Sequence, residues 1–201
     1  MSEFLQIVFS GVALGARYAL VALGFVIIYK ATSVINFAQG ALLALGAYLA
    51  YALIKGLPFW IAVAGAVVGV ALLGAVIERL VLRRMVAQPV YAVIMITIGL
   101  LFIIDQLITV IWGFGAKNLG DPWGVEVVRA GEVDMAVRDL WTIGLAAAVL
   151  LAFFAFFRFT HWGVAMRATA FDPEAALAQG ISARKVYALS WAIAGGLAAI
   201  A

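Results

Sequence analysis

Residues Val90–Trp112 read VYAVIMITIGLLFIIDQLITVIW, an unbroken apolar run that carries one charge, Asp105. A helix crossing hydrocarbon needs about 20 residues at roughly 1.5 Å each, so this stretch is long enough to span a membrane. Working outward from it, five more stretches qualify or nearly do: Leu5–Tyr29, Ile35–Ile54, Pro58–Ile77, Leu140–Phe157 and Val186–Ala201. The pattern lacks the period-two alternation of a membrane β-barrel. The expected fold is an all-α, polytopic transmembrane bundle of about six spans, forming one domain over residues 1–201. The last apolar run is short and still apolar at Ala201, so further spans are expected beyond it.

Composition agrees with the spans. Hydrophobic residues make up 67% of the chain and charged residues 11%, against about half and a quarter in a soluble domain. The mean hydropathy is +1.16. There is no Cys, which excludes disulfides and thiolate metal sites. His161 is the single histidine and has no clustered carboxylates around it, so no metal or other cofactor is expected. No phosphate-binding Gly-Lys-Thr/Ser loop and no nucleophile–base pair occur, so the chain is not expected to be an enzyme or to hydrolyse ATP. The net charge of +3 is small, and no nucleic-acid partner is expected. Met1-Ser2-Glu3 supplies no basic segment ahead of the first apolar run, so that run is expected to serve as its own targeting signal.

Lys and Arg in short loops set orientation. One set of connections holds Lys30, Arg79, Arg83, Arg84, Arg158, Arg167, Arg184 and Lys185; the other holds Lys55, Lys117, Arg129 and Arg138. The richer set is expected in the cytoplasm, with the N-terminus outside. The acidic, Gly-rich loop Gly113–Asp139 is then external, and residues 158–185 form a cytoplasmic loop.

Within that loop, Gly163–Ile181 is a polar island carrying helix punctuation. Asp172 suits an N-cap, Pro173 the first helical position and Glu174 the positive helix end; Gly180 suits a left-handed close. The result is a helix of about two turns over Pro173–Gln179, too short to be stable alone. Such a helix between two spans is most simply explained by a partner that docks on it. Ala175, Ala176 and Ala178 give it a thin profile, Leu177 an apolar anchor, and Arg167 and Glu174 polar contacts at the rim. An interfacial helix lying on the membrane is the plainer alternative, although its apolar face is small for that.

Asn36 and Gln39 lie inside the second apolar run. Amides at membrane depth must be hydrogen-bonded within the protein or line a wet cavity. They are three apart, on one helix face, and Gly40 follows. Two readings stand: a capped helix start with the amides packing neighbours, or a break in the helix beside a translocation path. Arg17 sits near the middle of the first run and Asp105 in the outer half of the fourth, at similar depth. A structural ion pair is expected between them, with a charged wall of the path, or snorkelling to an interface, as alternatives. Gly11/Gly15 and Gly65/Gly69 are small-xxx-small pairs suited to close helix approach. Trp112, Trp123, Trp141 and Trp162 fall near span ends, as interfacial anchors do. Glu78-Arg79 and Arg83-Arg84 read as an ordinary basic anchor.

Tyr18-Ala19-Leu20-Val21-Ala22-Leu23-Gly24, then Ile35-Asn36-Phe37-Ala38-Gln39-Gly40, Ile77-Glu78-Arg79 and the Gly163–Ile181 island occur in an order that resembles the branched-chain amino acid ABC permease family. The matches run from about Gly11 to Gly196. Arg17 departs from the family pattern, where many members carry an apolar or small residue. The resemblance implies an inner-membrane subunit of a bacterial importer. It would pair with a second related permease, two cytoplasmic ATPases and a periplasmic binding protein, with the island docking on the ATPase. It also implies spans after Ala201. Arg17, Asn36, Gln39 and Gly40 are the candidate path residues. The candidate docking residues are Arg167, Asp172, Pro173, Glu174, Ala175, Ala176, Leu177 and Gly180. Urea or short-amide permeases share much of the signature. A stand-alone channel or ion-coupled carrier would need more intramembrane carboxylates than Asp105 supplies. A purely structural membrane protein would need neither the deep amides nor the short helix.

Overall fold

The computed structural model describes residues 2–85, 88–115, 117–120, 122, 124, 126–130 and 133–201. Asp121, Trp123 and Glu132, part of the acidic loop and of the aromatic-anchor expectation, lie outside the described residues.

Among the described residues eight helices follow one another: α1 Ser2–Thr32, α2 Gln39–Leu53, α3 Phe59–Leu80, α4 Val90–Trp112, α5 Val137–Phe159, α6 His161–Phe171, α7 Pro173–Ala178 and α8 Ala183–Ile200. A 3-10 turn, Leu82–Met85, closes α3, and a small antiparallel hairpin, β1 Val127–Ala130 with β2 Val133–Ala136, precedes α5. Pro58 and Pro89 stand immediately before α3 and α4, where a missing N–H costs nothing. Gly113, at φ +77°, ends α4.

Among the described residues, four helices are long and apolar enough to cross a membrane: α1, α3, α4 and α5. The other two expected spans are α2 and α8. The second starts later than hydropathy suggests, at Gln39 rather than Ile35. The chain leaves α1 through Ser33 in the left-handed region (φ +57°) and turns through Ala38 before α2 begins. At 15 residues, α2 is about 22 Å long, short of the roughly 30 Å hydrocarbon. The irregular segment 33–38 makes up the difference, and such backbone is tolerated at that depth only inside protein or beside a wet cavity.

The core lies between α1, α2, α3, α4 and α8, around Ile28, Leu42, Val70, Ile77, Ile104, Trp191 and Ala194. Glycine lets these helices meet backbone to backbone. A Cβ on Gly46 would stand 2.6 Å from the Ala199 Cα, and one on Gly195 2.6 Å from the Val70 carbonyl oxygen; Gly74 meets the Trp191 carbonyl the same way. These crossings replace one of the expected glycine pairs. Gly11 and Gly15 have nothing near them in the chain, whereas Gly65 and Gly69 do face Leu53 and Leu49 of α2.

Candidate functional site

The turn between α1 and α2 folds around its own amides. Asn36 and Gln39 are both 0% exposed. The Asn36 Oδ1 accepts from the Ala38 N–H at 3.0 Å, and its Nδ2 donates to the Gln39 Oε1 at 3.4 Å. Gln39 Nε2 then donates to the Ala194 carbonyl of α8 at 3.1 Å. The Phe37 N–H donates to Thr97 Oγ1 of α4 at 3.3 Å. One short polar segment therefore ties α1, α2, α4 and α8 together. Gly24 completes the contact: a Cβ there would run into the Gln39 amide. α2 starts at Gln39 without a side-chain cap and residues 33–38 are not helical, so the amides sit at an interruption between α1 and α2.

A cavity of about 190 Å³ opens beside this segment, between the C-terminal ends of α1 and α3 and the N-terminal ends of α4 and α8. Asn36, Thr97, Tyr187 and Glu78 line it along with Ile28, Val93 and Trp191. Glu78 is 1% exposed. Arg83 from the 3-10 turn holds it with both Nε (3.3 Å) and an Nη (2.7 Å), a bidentate charge-assisted pair. The expectation of a plain basic anchor at this position is corrected for Arg83, which neutralises a buried carboxylate.

The polar island is helical over more of its length than expected. α6 starts from Thr160, whose Oγ1 accepts from the Gly163 N–H at 3.1 Å. α7 starts from Asp172, whose Oδ1 accepts from the N–H groups of Glu174 (2.9 Å) and Ala175 (3.0 Å). It ends with the Ile181 N–H returning to the Ala176 carbonyl and Gly180 at φ +80°, a Schellman close. The caps lie where the punctuation puts them.

Residues 7–201 match the family described as branched-chain amino acid transport system, permease component. The chain belongs to this family. The high-affinity branched-chain amino acid transport system permease protein LivH of Escherichia coli K12 is 30% identical over 98% of this chain and 69% of its own length. LivH of Salmonella typhimurium is 28% identical with the same coverage. BraD of Pseudomonas aeruginosa is 25% identical over 99% of this chain and 69% of its own. No solved structure matches. The protein is thus a multi-pass membrane permease, one component of a transport system.

Several expected site residues of the permease sit elsewhere than their pattern suggests. Gly40 is exposed with open space around it and does not join the amides. Ala176 is 4% exposed, so it packs inward and cannot enter a partner's cleft. A six-residue helix lying against its own protein must give one face to it. Arg167 is exposed, donates to the Phe157 carbonyl at the end of α5 and covers the Phe157 ring, so it closes a helix from the surface. The outward face of the island is formed by Leu177, 65% exposed, and Phe171, 94% exposed. Phe171 has a signal in the sequence: it is an aromatic one residue before a capping Asp and outside any span.

No ion pair joins Arg17 to Asp105 among the described residues, and both are exposed. α4 packs on α2 and the 3-10 turn, while α1 packs mainly on α8 and α5. Equal depth therefore does not bring the two together. Asp139, at the start of α5, instead accepts from Ser10 of α1 at 3.3 Å. Arg17 is seven residues before Gly24, so it lies on the same face of α1 about two turns further along.

Proposed function

We propose that this permease is the inner-membrane subunit of an ATP-driven importer for branched-chain amino acids, with its N-terminus on the periplasmic side. The observation that carries the reading is the buried Asn36–Gln39 pair at a helix break, with a polar-lined cavity beside it at the arginine-rich end. Transport proteins place substrate sites at such interruptions, where backbone and amides are freed from the helix ladder. Arg17, two turns outward of Gly24, marks the approach from the other side of the membrane. The names of the relatives support the substrate class, and the bound amides supply a path without a strong trap.

In this arrangement the chain hydrolyses nothing itself. Two cytoplasmic ATPases, a second permease and a periplasmic binding protein complete the machine. Asp172, Pro173, Glu174, Ala175, Leu177 and Gly180 present α7 to an ATPase groove, with Phe171 and Leu177 as the apolar contacts. The hairpin β1–β2 and the rest of loop 113–139 face the binding protein.

The test is uptake of radiolabelled leucine in cells lacking their own branched-chain transport, supplied with this permease and its neighbouring transport genes. Leucine uptake that needs ATP and is lost without the ATPase genes is expected. Uptake of urea or short amides in place of leucine would overturn the substrate. Cysteine at Ala175 or Ala178 should cross-link to the ATPase; failure to do so in an assembled, active complex would overturn the docking role.

A further inference from the structure

We propose that α4 pairs with α4 of a second copy of this chain, the two Gln106 side chains bonding to each other across the contact. This rests on the permease reading above and makes the second permease a copy of this one. The buried residues of α4 are Thr97, Ile104 and Ile108. At about 3.6 residues per turn, Gln106 stands on the opposite side of the helix. Gly99, Ile103, Gln106 and Val110 follow one another by four, three and four residues, so they form one stripe. Ile103 is 57% and Val110 80% exposed, and Gln106 is exposed between them. With Phe102 and Leu107, the last three line a shallow groove along the helix.

Lipid is a poor cover for this face. Gln106 lies about 9 Å along the helix from Trp112 at its end, and its amide has no hydrogen-bond partner among the described residues. An amide at membrane depth has to be bonded to protein or water. Asp105, exposed beside it, adds a charge that hydrocarbon does not tolerate cheaply. The cover is therefore a surface that offers hydrogen-bonding groups at this depth. A second copy supplies them. An amide is both donor and acceptor, so Gln106 is complementary to itself. Copies in one membrane share an orientation, and a two-fold pair sets α4 beside α4 with Gln106 facing Gln106. Asp105 stands about 100° around the helix from Gln106, so the two carboxylates fall on opposite flanks of the contact and do not face each other. Each amide gives one N–H to the other's oxygen and keeps a second for the carboxylate at the edge. Gly99 has open space where a Cβ would stand. It lets the backbones approach two turns away, as small residues do between membrane helices.

The chain has no cysteine, so Val110→Cys places a single thiol on the stripe. Two differently tagged copies are co-expressed with the rest of the transporter. Disulfide formation in membranes is driven with copper phenanthroline and read on non-reducing gels. Val110→Cys should give a product carrying both tags, at least fivefold more than Leu72→Cys, which is exposed on α3. Adding Gln106→Leu should lower that yield at least threefold, and Gln106→Asn, which keeps the amide, should lower it less. No product with both tags, or a product joining one tag to a different subunit, would overturn the proposal. An unchanged yield with Gln106→Leu would remove the amide pair that carries it. Leucine uptake by the Val110→Cys transporter is read in parallel. Uptake without the two-tag product removes this pairing and leaves the permease reading standing; absence of leucine uptake in the unsubstituted transporter counts against that reading itself.

Discussion

Replacing Asn36 and Gln39 with Leu, singly and together, separates their structural work from their part in transport. Gln39→Leu removes the bond to the Ala194 carbonyl, which α8 still uses in its own ladder, at a net cost of about 0.5–1.5 kcal/mol. It also strands the Asn36 amide, adding about 1 kcal/mol, near the low end for an unsatisfied buried group because the 3.4 Å bond is long. Asn36→Leu strands the Gln39 oxygen and the buried Ala38 N–H, which now bonds at 3.0 Å, for about 2–4 kcal/mol. In the double variant neither amide is left facing an absent partner. Its loss should fall short of the sum of the singles by about 1–2 kcal/mol, while leucine uptake drops at least tenfold. Unfolding in mixed detergent micelles, monitored by tryptophan fluorescence, gives the stability cycle, and radiolabelled uptake gives the function. Additivity within about 0.5 kcal/mol would show that the two amides are not coupled. Normal uptake by the double variant would show that they do not border the path.

Three further outcomes follow from the packing and the caps. Asp172→Ala with Gly180→Ala removes two capping bonds and forces a Cβ into a left-handed position, about 2–3 kcal/mol together; cross-linking of α7 to the proposed ATPase partner should fall at least tenfold with the spans intact by protease mapping. Phe171→Ser and Leu177→Ser, on exposed side chains, should leave thermal stability within about 0.5 kcal/mol and still cut uptake; unchanged uptake would show that this face touches nothing. Gly46→Val must push α2 off Ala199, and overpacking of this kind costs about 1–3 kcal/mol, read as a lower melting temperature and less protein in the membrane.

The apolar runs made the bundle legible, because a span announces itself by composition over 20 residues. The caps of α7 were legible because Asp172, Pro173 and Gly180 act on backbone within reach of their own neighbours. What stayed hidden depends on azimuth. Sequence spacing places Arg17 and Asp105 at one depth but cannot show that their helices pack on different neighbours. Glycine pairs four apart are easy to count, yet the close crossings use single glycines, Gly46, Gly74 and Gly195, whose partners are far away in sequence. Ala176 differs from its pattern for the same reason: a polar island reads as outward-facing until the rest of the fold is laid against it. Glu78 reads as half of an anchor because its burial depends on elements packed against α3 from elsewhere in the chain.

The corner between α5 and α6 is pinned three times: Thr160 bonds to both the Phe156 carbonyl and the Gly163 N–H, Arg167 holds the Phe157 carbonyl, and Gly163 leaves no room for a Cβ against the Phe157 backbone. A joint held this way is stiff, and α6 also rests on α1 and α8. Force applied at α7 therefore has little slack to take up before it reaches the spans. Motion of the proposed ATPase partner would tilt α6 as a lever arm, turning α5 and α1 together in place of bending a loop.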